Sequence, residues 1–151
     1  MYAWSHCSAF EGYGDDTFFE GFSSRIKIGP WVAPFLSMAV LSLRGRRIVW
    51  NNWKALRSPD VSVENNRWRF KIEGSEYNLV GNIAAPTNKF IALNYYDPTA
   101  ALSYCLNSKI AGGTLELQDP RGRTVEVLKS AETFALEVLV KDRNHGVAPG
   151  V

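Results

Sequence analysis

The sequence predicts an all-β protein, an antiparallel barrel or sandwich of about nine or ten short strands. Three observations carry this. Apolar and polar side chains alternate along many short segments, most cleanly where Trp68, Phe70 and Ile72 interleave with Arg67, Arg69, Lys71 and Glu73. Turn residues recur at close intervals, as at Arg44-Gly45, Asn65-Asn66, Gly74-Ser75 and Asp119-Pro120-Arg121-Gly122. No segment keeps helical periodicity over three turns. Pro98 to Leu106 is the one stretch with room for a helix, and a strand is preferred there too.

The first strand runs through Tyr2-Ala3-Trp4-Ser5-His6-Cys7-Ser8-Ala9-Phe10. Successive side chains of a strand point to opposite faces. One face therefore carries Tyr2, Trp4, His6, Ser8 and Phe10, and the other Ala3, Ser5, Cys7 and Ala9. The bulky face reads as the lining of an apolar pocket with one ionisable handle, and the small face as a surface packed against a neighbouring layer. From Thr17 to Ile28, Phe18, Phe22, Ile26 and Ile28 share a face with Glu20, while Gly21, Ser23, Arg25 and Lys27 are expected to meet solvent. A carboxyl group on an apolar face needs a partner or favours its protonated form. An edge glutamate reaching water is the plainer alternative.

Phe35 to Leu43 and the segment after the Arg44-Gly45 turn form a hairpin, followed by Trp50-Asn51-Asn52-Trp53 and a Ser58-Pro59-Asp60 turn. Strands are expected around Val61 and Val63, over Trp68 to Ile72, from Tyr77 to Ile83, and from Phe90 to Tyr95, where Asp97-Pro98 stops the pattern. Ser103 to Leu117 is interrupted at Gly112-Gly113, the signature of a bulge or sharp bend. Thr124 to Leu128 and Glu132 to Val140 complete a domain over residues 1–140, and 141–151 reads as a loose polar tail.

The 151 residues are 46% hydrophobic with a formal charge of +2, which suits one globular domain and argues against a nucleic-acid partner. The most apolar run, Trp31 to Leu43, is too short to span a bilayer and contains Pro34. No signal peptide is visible, so the expected location is intracellular, cytoplasmic or peripheral to a membrane. Cys7 and Cys105 are expected as free thiols, and with His6 and His145 they lack the spacing of a metal site. No metal and no cofactor are expected.

Several motifs resemble the C-terminal half of the tocopherol cyclase family. They are His6-Cys7-Ser8-Ala9-Phe10-Glu11-Gly12, then Leu43-Arg44-Gly45-Arg46-Arg47-Ile48-Val49-Trp50-Asn51-Asn52 with Val61-Ser62-Val63 and Trp68-Arg69-Phe70-Lys71-Ile72. Tyr104-Cys105-Leu106-Asn107-Ser108, Gly113-Thr114-Leu115-Glu116-Leu117, Leu128-Lys129-Ser130-Ala131 and Ala135-Leu136-Glu137 follow in the family's order. The resemblance implies a lipocalin-like (calycin) fold, related to the two-barrel carotenoid hydratases. Family members are much longer, and the Ala-Glu-Lys-Asn-Trp run of their N-terminal half does not occur here.

The activity implied by the resemblance is acid-catalysed ring closure of a prenylated quinol, in which a phenol oxygen adds across an alkene. Such chemistry calls for an acid, an acceptor for the phenol proton, and an apolar cavity. Glu20 and Glu11 are the candidate acids, and His6 or Tyr104 the proton relay. Trp4, Phe10, Phe18, Phe22, Trp68 and Tyr104 are the candidate substrate-binding residues, with aromatic faces suited to cationic character. The alternative is a non-catalytic lipocalin-like domain that binds an apolar small molecule.

Overall fold

The computed structural model describes residues 1–52, 60–96 and 101–150. Among them the expected all-β architecture is present as a ten-stranded antiparallel sheet and a separate two-stranded ribbon. In chain order the strands are β1 (Tyr2–Cys7), β2 (Phe18–Ser24), β3 (Lys27–Ile28), β4 (Trp31–Val32), β5 (Leu36–Leu43) and β6 (Arg46–Trp50). There follow β7 (Val61–Glu64), β8 (Arg67–Ile72), β9 (Asn78–Ala84), β10 (Ile91–Tyr96), β11 (Leu102–Gln118) and β12 (Thr124–Val140). The large sheet has the order β6-β5-β2-β1-β12-β11-β9-β8-β7, with β10 also on β11, and β3 and β4 form the ribbon. The Trp53 end of the Trp/Asn segment, Ser58-Pro59 and Asp97-Pro98 lie outside the described residues. Leu102 to Leu106 is strand, not helix.

β11 and β12 hold the sheet together. Each is 17 residues long, and each serves two neighbourhoods. The first half of β11 pairs with β10 (Cys105 opposite Leu93) and its second half with β9 (Leu115 opposite Gly81). The two segments expected at Thr124 to Leu128 and Glu132 to Val140 are one continuous strand. The expected irregularity at Gly112-Gly113 is there, with register shifts between Ser108 and Ala111 and between Ala111 and Gly113. A bulge of this kind bends and twists its strand, and here it folds the sheet so that its inner faces meet.

The core is filled from both layers by side chains of unequal size. Trp68 and Phe70 of β8 and Phe19 of β2 are buried together, with the Phe19 and Phe70 rings stacked at 6.0 Å. Facing them are small residues: Ala3, Ser5 and Cys7 of β1, Gly21 and Ser23 of β2, Ser37 and Ala39 of β5. A methyl group on Gly21 would stand 2.5 Å from the Phe19 ring and 3.0 Å from the Trp68 indole. The buried hydroxyls are satisfied: Ser5 donates to the Ala135 carbonyl at 2.6 Å, and Ser23 and Ser37 bond each other at 2.7 Å. Trp50 closes a seam by donating its indole N–H to the Tyr77 carbonyl at 2.8 Å.

This packing corrects two expectations. The small face of β1 points into the core, and the bulky face, Tyr2, Trp4 and His6, points outward and is half-buried. On β2 likewise, Gly21 and Ser23 are buried, while Phe18 and Phe22 are half-buried and Glu20 is exposed. The reason is volume. Aromatic side chains from β8 occupy the space over β1 and β2, so only small residues fit beneath them. The loose tail is corrected too. The Ala92 N–H donates to the Ala148 carbonyl at 2.9 Å and the Gly150 N–H to the Ala92 carbonyl at 2.8 Å, while Val147 is buried.

The bend supplies a stability test. A methyl group at Gly112 would lie 2.3 Å from the Ala131 carbonyl oxygen. Gly112→Ala is therefore expected to destabilise the fold by roughly 2 kcal/mol, seen as a lower urea midpoint. Gly122→Ala, at φ +82° but with open space around the added carbon, should cost about 1 kcal/mol. Equal midpoints for Gly112→Ala and wild type would mean that the bend does not need this close approach.

Candidate functional site

Four of the nine predicted site residues, Trp4, His6, Glu20 and Phe22, stand together on the outward face of β1, β2, β5 and β6. Cross-strand pairing sets Met38, Phe22, Trp4, Glu137 and Asn107 in one row across five strands. Val49, Val40, Glu20 and His6 form a parallel row beside it. Directly opposed side chains on one face lie within contact range, and two open clefts form between these rows and their neighbours. The first, about 290 Å³, is walled by Trp4, Glu20, Phe22, Met38, Val40 and Val49. The second, about 340 Å³, is bounded by Tyr2, Trp4, Phe22 and Glu137. Trp4 and Phe22 belong to both and divide one trough into two.

Trp4 is held on three sides. Its indole N–H donates to Glu20 Oε1 at 3.1 Å, its ring lies parallel to the His6 imidazole at 6.4 Å, and the Lys109 ammonium stands 5.9 Å from its ring centroid. Lys109 is also 3.7 Å from Glu137 Oε1, and Asn107 donates its amide to the same oxygen. A tryptophan fixed in this way presents a rigid apolar surface at little cost in side-chain entropy. Met38 and Val49 remain 47% and 45% exposed beside it, so the trough wall is apolar and open. Burial of Tyr2, with Cys105 and Glu137 close by, pushes its phenol up to about 12.

The remaining predicted residues lie outside the trough. Phe10 and Trp68 are core residues, Phe10 packing edge-on against Phe134 at 5.6 Å, so neither lines a pocket as expected. Glu11 is exposed in a turn whose backbone N–H donates to the Lys129 carbonyl at 2.9 Å. It borders a cleft of about 400 Å³ at the Gly112-Gly113 bend with Lys129 and Ser130, away from Glu20. Phe18 is on the outward face opposite Ser42. Tyr104 faces the other side of the sheet, against His145 with ring centroids 4.9 Å apart. Glu20 is not a buried acid: it is exposed, and its carboxylate accepts the Trp4 N–H.

Met38, Val40, Val49, Glu137 and Lys109 were not singled out from sequence. Met38, Val40 and Val49 sit in segments whose apolar content hides which way each residue points. Glu137 enters from sequence only as the end of the Ala135-Leu136-Glu137 motif, yet it anchors the Asn107 and Lys109 contacts. Both cysteines are free and buried. Among the described residues no group of three histidine, cysteine or acidic side chains could hold a metal ion, and no helix is long and apolar enough to cross a membrane.

No protein-family model matches the chain, and no curated protein sequence matches it. A solved structure does: that of a protein provisionally named AttH from Nitrosomonas europaea, with a TM-score of 0.50 at 11% identity over 95% of this chain. At that identity the likeness shows the fold alone. The chain spans about half of that protein, 52% of its length.

The Tyr2 phenol gives a test of the trough's electrostatics. Its neutral form is favoured by folding, so its contribution to stability is present below pH 10 and is lost as the pH rises toward about 12. Ultraviolet titration of the folded protein should show a tyrosine that ionises near pH 12. Tyr2→Phe should remove it; an unchanged high-pH titration in that variant would mean that Tyr2 is not held this way.

Proposed function

We propose that the protein is a binding domain for an apolar small molecule, held in the outward trough on either side of Trp4. The single observation that carries this reading is the pinned Trp4 indole, set between two open clefts with Phe22, Met38 and Val49 as apolar walls. Ligand sites combine apolar walls with a few placed polar groups, and Glu20 on one side and the Glu137–Lys109 pair on the other serve that purpose. A ligand with an elongated apolar body would cross the Trp4–Phe22 divide and offer a hydroxyl to Glu20. A prenylated quinol has that form. The core is filled by Trp68, Phe70, Phe19 and Phe134, whereas the trough keeps apolar walls open to solvent.

A second reading, ring closure of such a quinol, is favoured by one feature: His6 and Glu20 stand opposite each other across β1 and β2 beside Trp4. In that reading His6 gives a proton to the alkene, the phenol oxygen closes on the resulting tertiary cation, Glu20 takes the phenol proton, and that proton passes back to His6 so that both groups are restored. The sum is an isomerisation with no net proton change. Glu20 already accepts the Trp4 indole N–H, and as an acceptor beside the trough its part here is that of the base.

Apolar extracts of natively purified protein, analysed by mass spectrometry, are expected to contain a prenyl lipid. Added prenylated quinol should quench Trp4 fluorescence, and Phe22→Ser should weaken its binding at least about tenfold, or about 1.4 kcal/mol. Binding that ignores Phe22→Ser and Trp4→Phe alike would end the trough assignment. Conversion of the quinol that disappears in Glu20→Gln while binding persists would select the cyclase reading, and binding without conversion the non-catalytic one.

A further inference from the structure

On the face of the sheet opposite the trough, the C-terminal segment roofs a cleft of about 480 Å³ over β10 and β11. The two faces are separated by strand alternation. Leu93 and Cys105 are paired and share the trough's side, so the next pair, Asn94 and Tyr104, faces the other way. Arg143 and His145 of the C-terminal segment look onto the same cleft, with Ala92 of β10 and Val147 of the roof as apolar walls. From these four polar side chains we infer a second binding site, specific for a small organic acid: an anionic head on a compact apolar body.

Each of the four polar side chains described at this cleft can donate a hydrogen bond, and one carries a permanent charge. The Val147 backbone N–H donates to His145 Nδ1 at 3.2 Å, which leaves the ring proton on Nε2. The His145 carbonyl accepts from the Asn65 side chain at 3.2 Å, and its ring packs on Tyr104. The imidazole is thus fixed from both sides with a donor to spare. Among the described residues, the Arg143 guanidinium, the Asn94 amide and the Tyr104 hydroxyl have no hydrogen-bond or ion-pair partner. Among the described residues, no acidic side chain borders the cleft. An arginine fork with adjacent neutral donors matches a carboxylate, whose lone pairs it can meet two at a time. The volume falls within the range of small-molecule pockets, about 300 to 1,000 Å³, and exceeds what a bare inorganic anion would fill.

The segment that forms the roof is docked through backbone bonds. Ala92 gives its N–H to the Ala148 carbonyl and accepts from the Gly150 N–H, and Ala92 and Pro149 form a parallel bridge. A ligand held between Arg143 above and Asn94 and Tyr104 below would join this segment to the sheet. Occupancy of the site is therefore coupled to the stability of the docked C-terminal segment.

Benzoate is the probe, titrated into the full chain and followed by amide NMR, with benzyl alcohol and inorganic phosphate as controls. Saturable shifts are expected at Asn94, Tyr104, Arg143, His145 and Val147, with slower amide exchange at Gly150. Benzyl alcohol and phosphate should each bind at least tenfold more weakly than benzoate. Arg143→Met, an exposed position, should weaken benzoate at least tenfold, and Tyr104→Phe severalfold. Absence of saturable shifts, equal binding of benzyl alcohol, or unchanged benzoate affinity in Arg143→Met would overturn the site. Equal binding of phosphate would overturn the organic-acid assignment. The trough of Trp4 takes no part in any of these readings, so the two assignments stand or fall separately.

Discussion

The fold depends on a backbone contact that excludes side chains. At Gly112 the chain passes so close to the Ala131 carbonyl that a methyl group would have to sit 2.3 Å from its oxygen, and at Gly113 one would meet the Asn82 carbonyl at 2.8 Å. The bend at these two residues lets two 17-residue strands serve two neighbourhoods each. Without it, β11 and β12 would run straight and the two halves of the sheet could not face each other. The interdigitation of Trp68 and Phe70 with Gly21 and Phe19 follows from that bend. So does the outward position of everything on the reverse side of β1 and β2.

Much of the fold was legible from residue patterns. The turns at Arg44-Gly45, Asn65-Asn66 and Asp119 to Gly122 are where their residue types indicate, and Gly112-Gly113 marks the bend. The orientation of β1 and β2 was not legible. Alternation shows that a strand has two different faces, and apolar bulk usually marks the inner one. Here the opposite layer already supplies the bulk, and the inner face is the one with least of it. Period-two patterns hold no information about the volume contributed by a partner strand some fifty residues away, such as β8 opposite β2.

That inversion also explains the fate of the site residues. Trp4, Phe22, Glu20 and His6 stand as neighbours because they share the same parity on adjacent strands, a pairing that alternation within each strand does not reveal. Their environment was misread, because the group faces outward. Tyr104 could not be placed with them by pattern alone: its parity on β11 and the docking of the C-terminal segment both had to be known. The Glu137, Asn107 and Lys109 contacts depend on cross-strand register between β11 and β12, which the intervening bulge shifts. The outcome is a sheet whose outer side carries an aromatic trough flanked by carboxylates, while the inner side carries the packed core and, at β10 and β11, a cleft lined with hydrogen-bond donors.

The pairing of β1 with β12 has a consequence for the order in which the molecule can assemble. Tyr2 is opposite Leu139 and His6 opposite Ala135, so β1 finds its second neighbour only after all the strands between it and β12 have been made. Until then β1 and β2 can form a hairpin whose small inner face has no aromatic layer to cover it and whose β1 edge is unpaired. Contacts that span so much sequence close slowly, and open edges of this kind are where nascent β proteins associate wrongly. The passage from synthesis to the folded state is thus the most exposed period in the life of this molecule, and its length is set by how late β12 arrives.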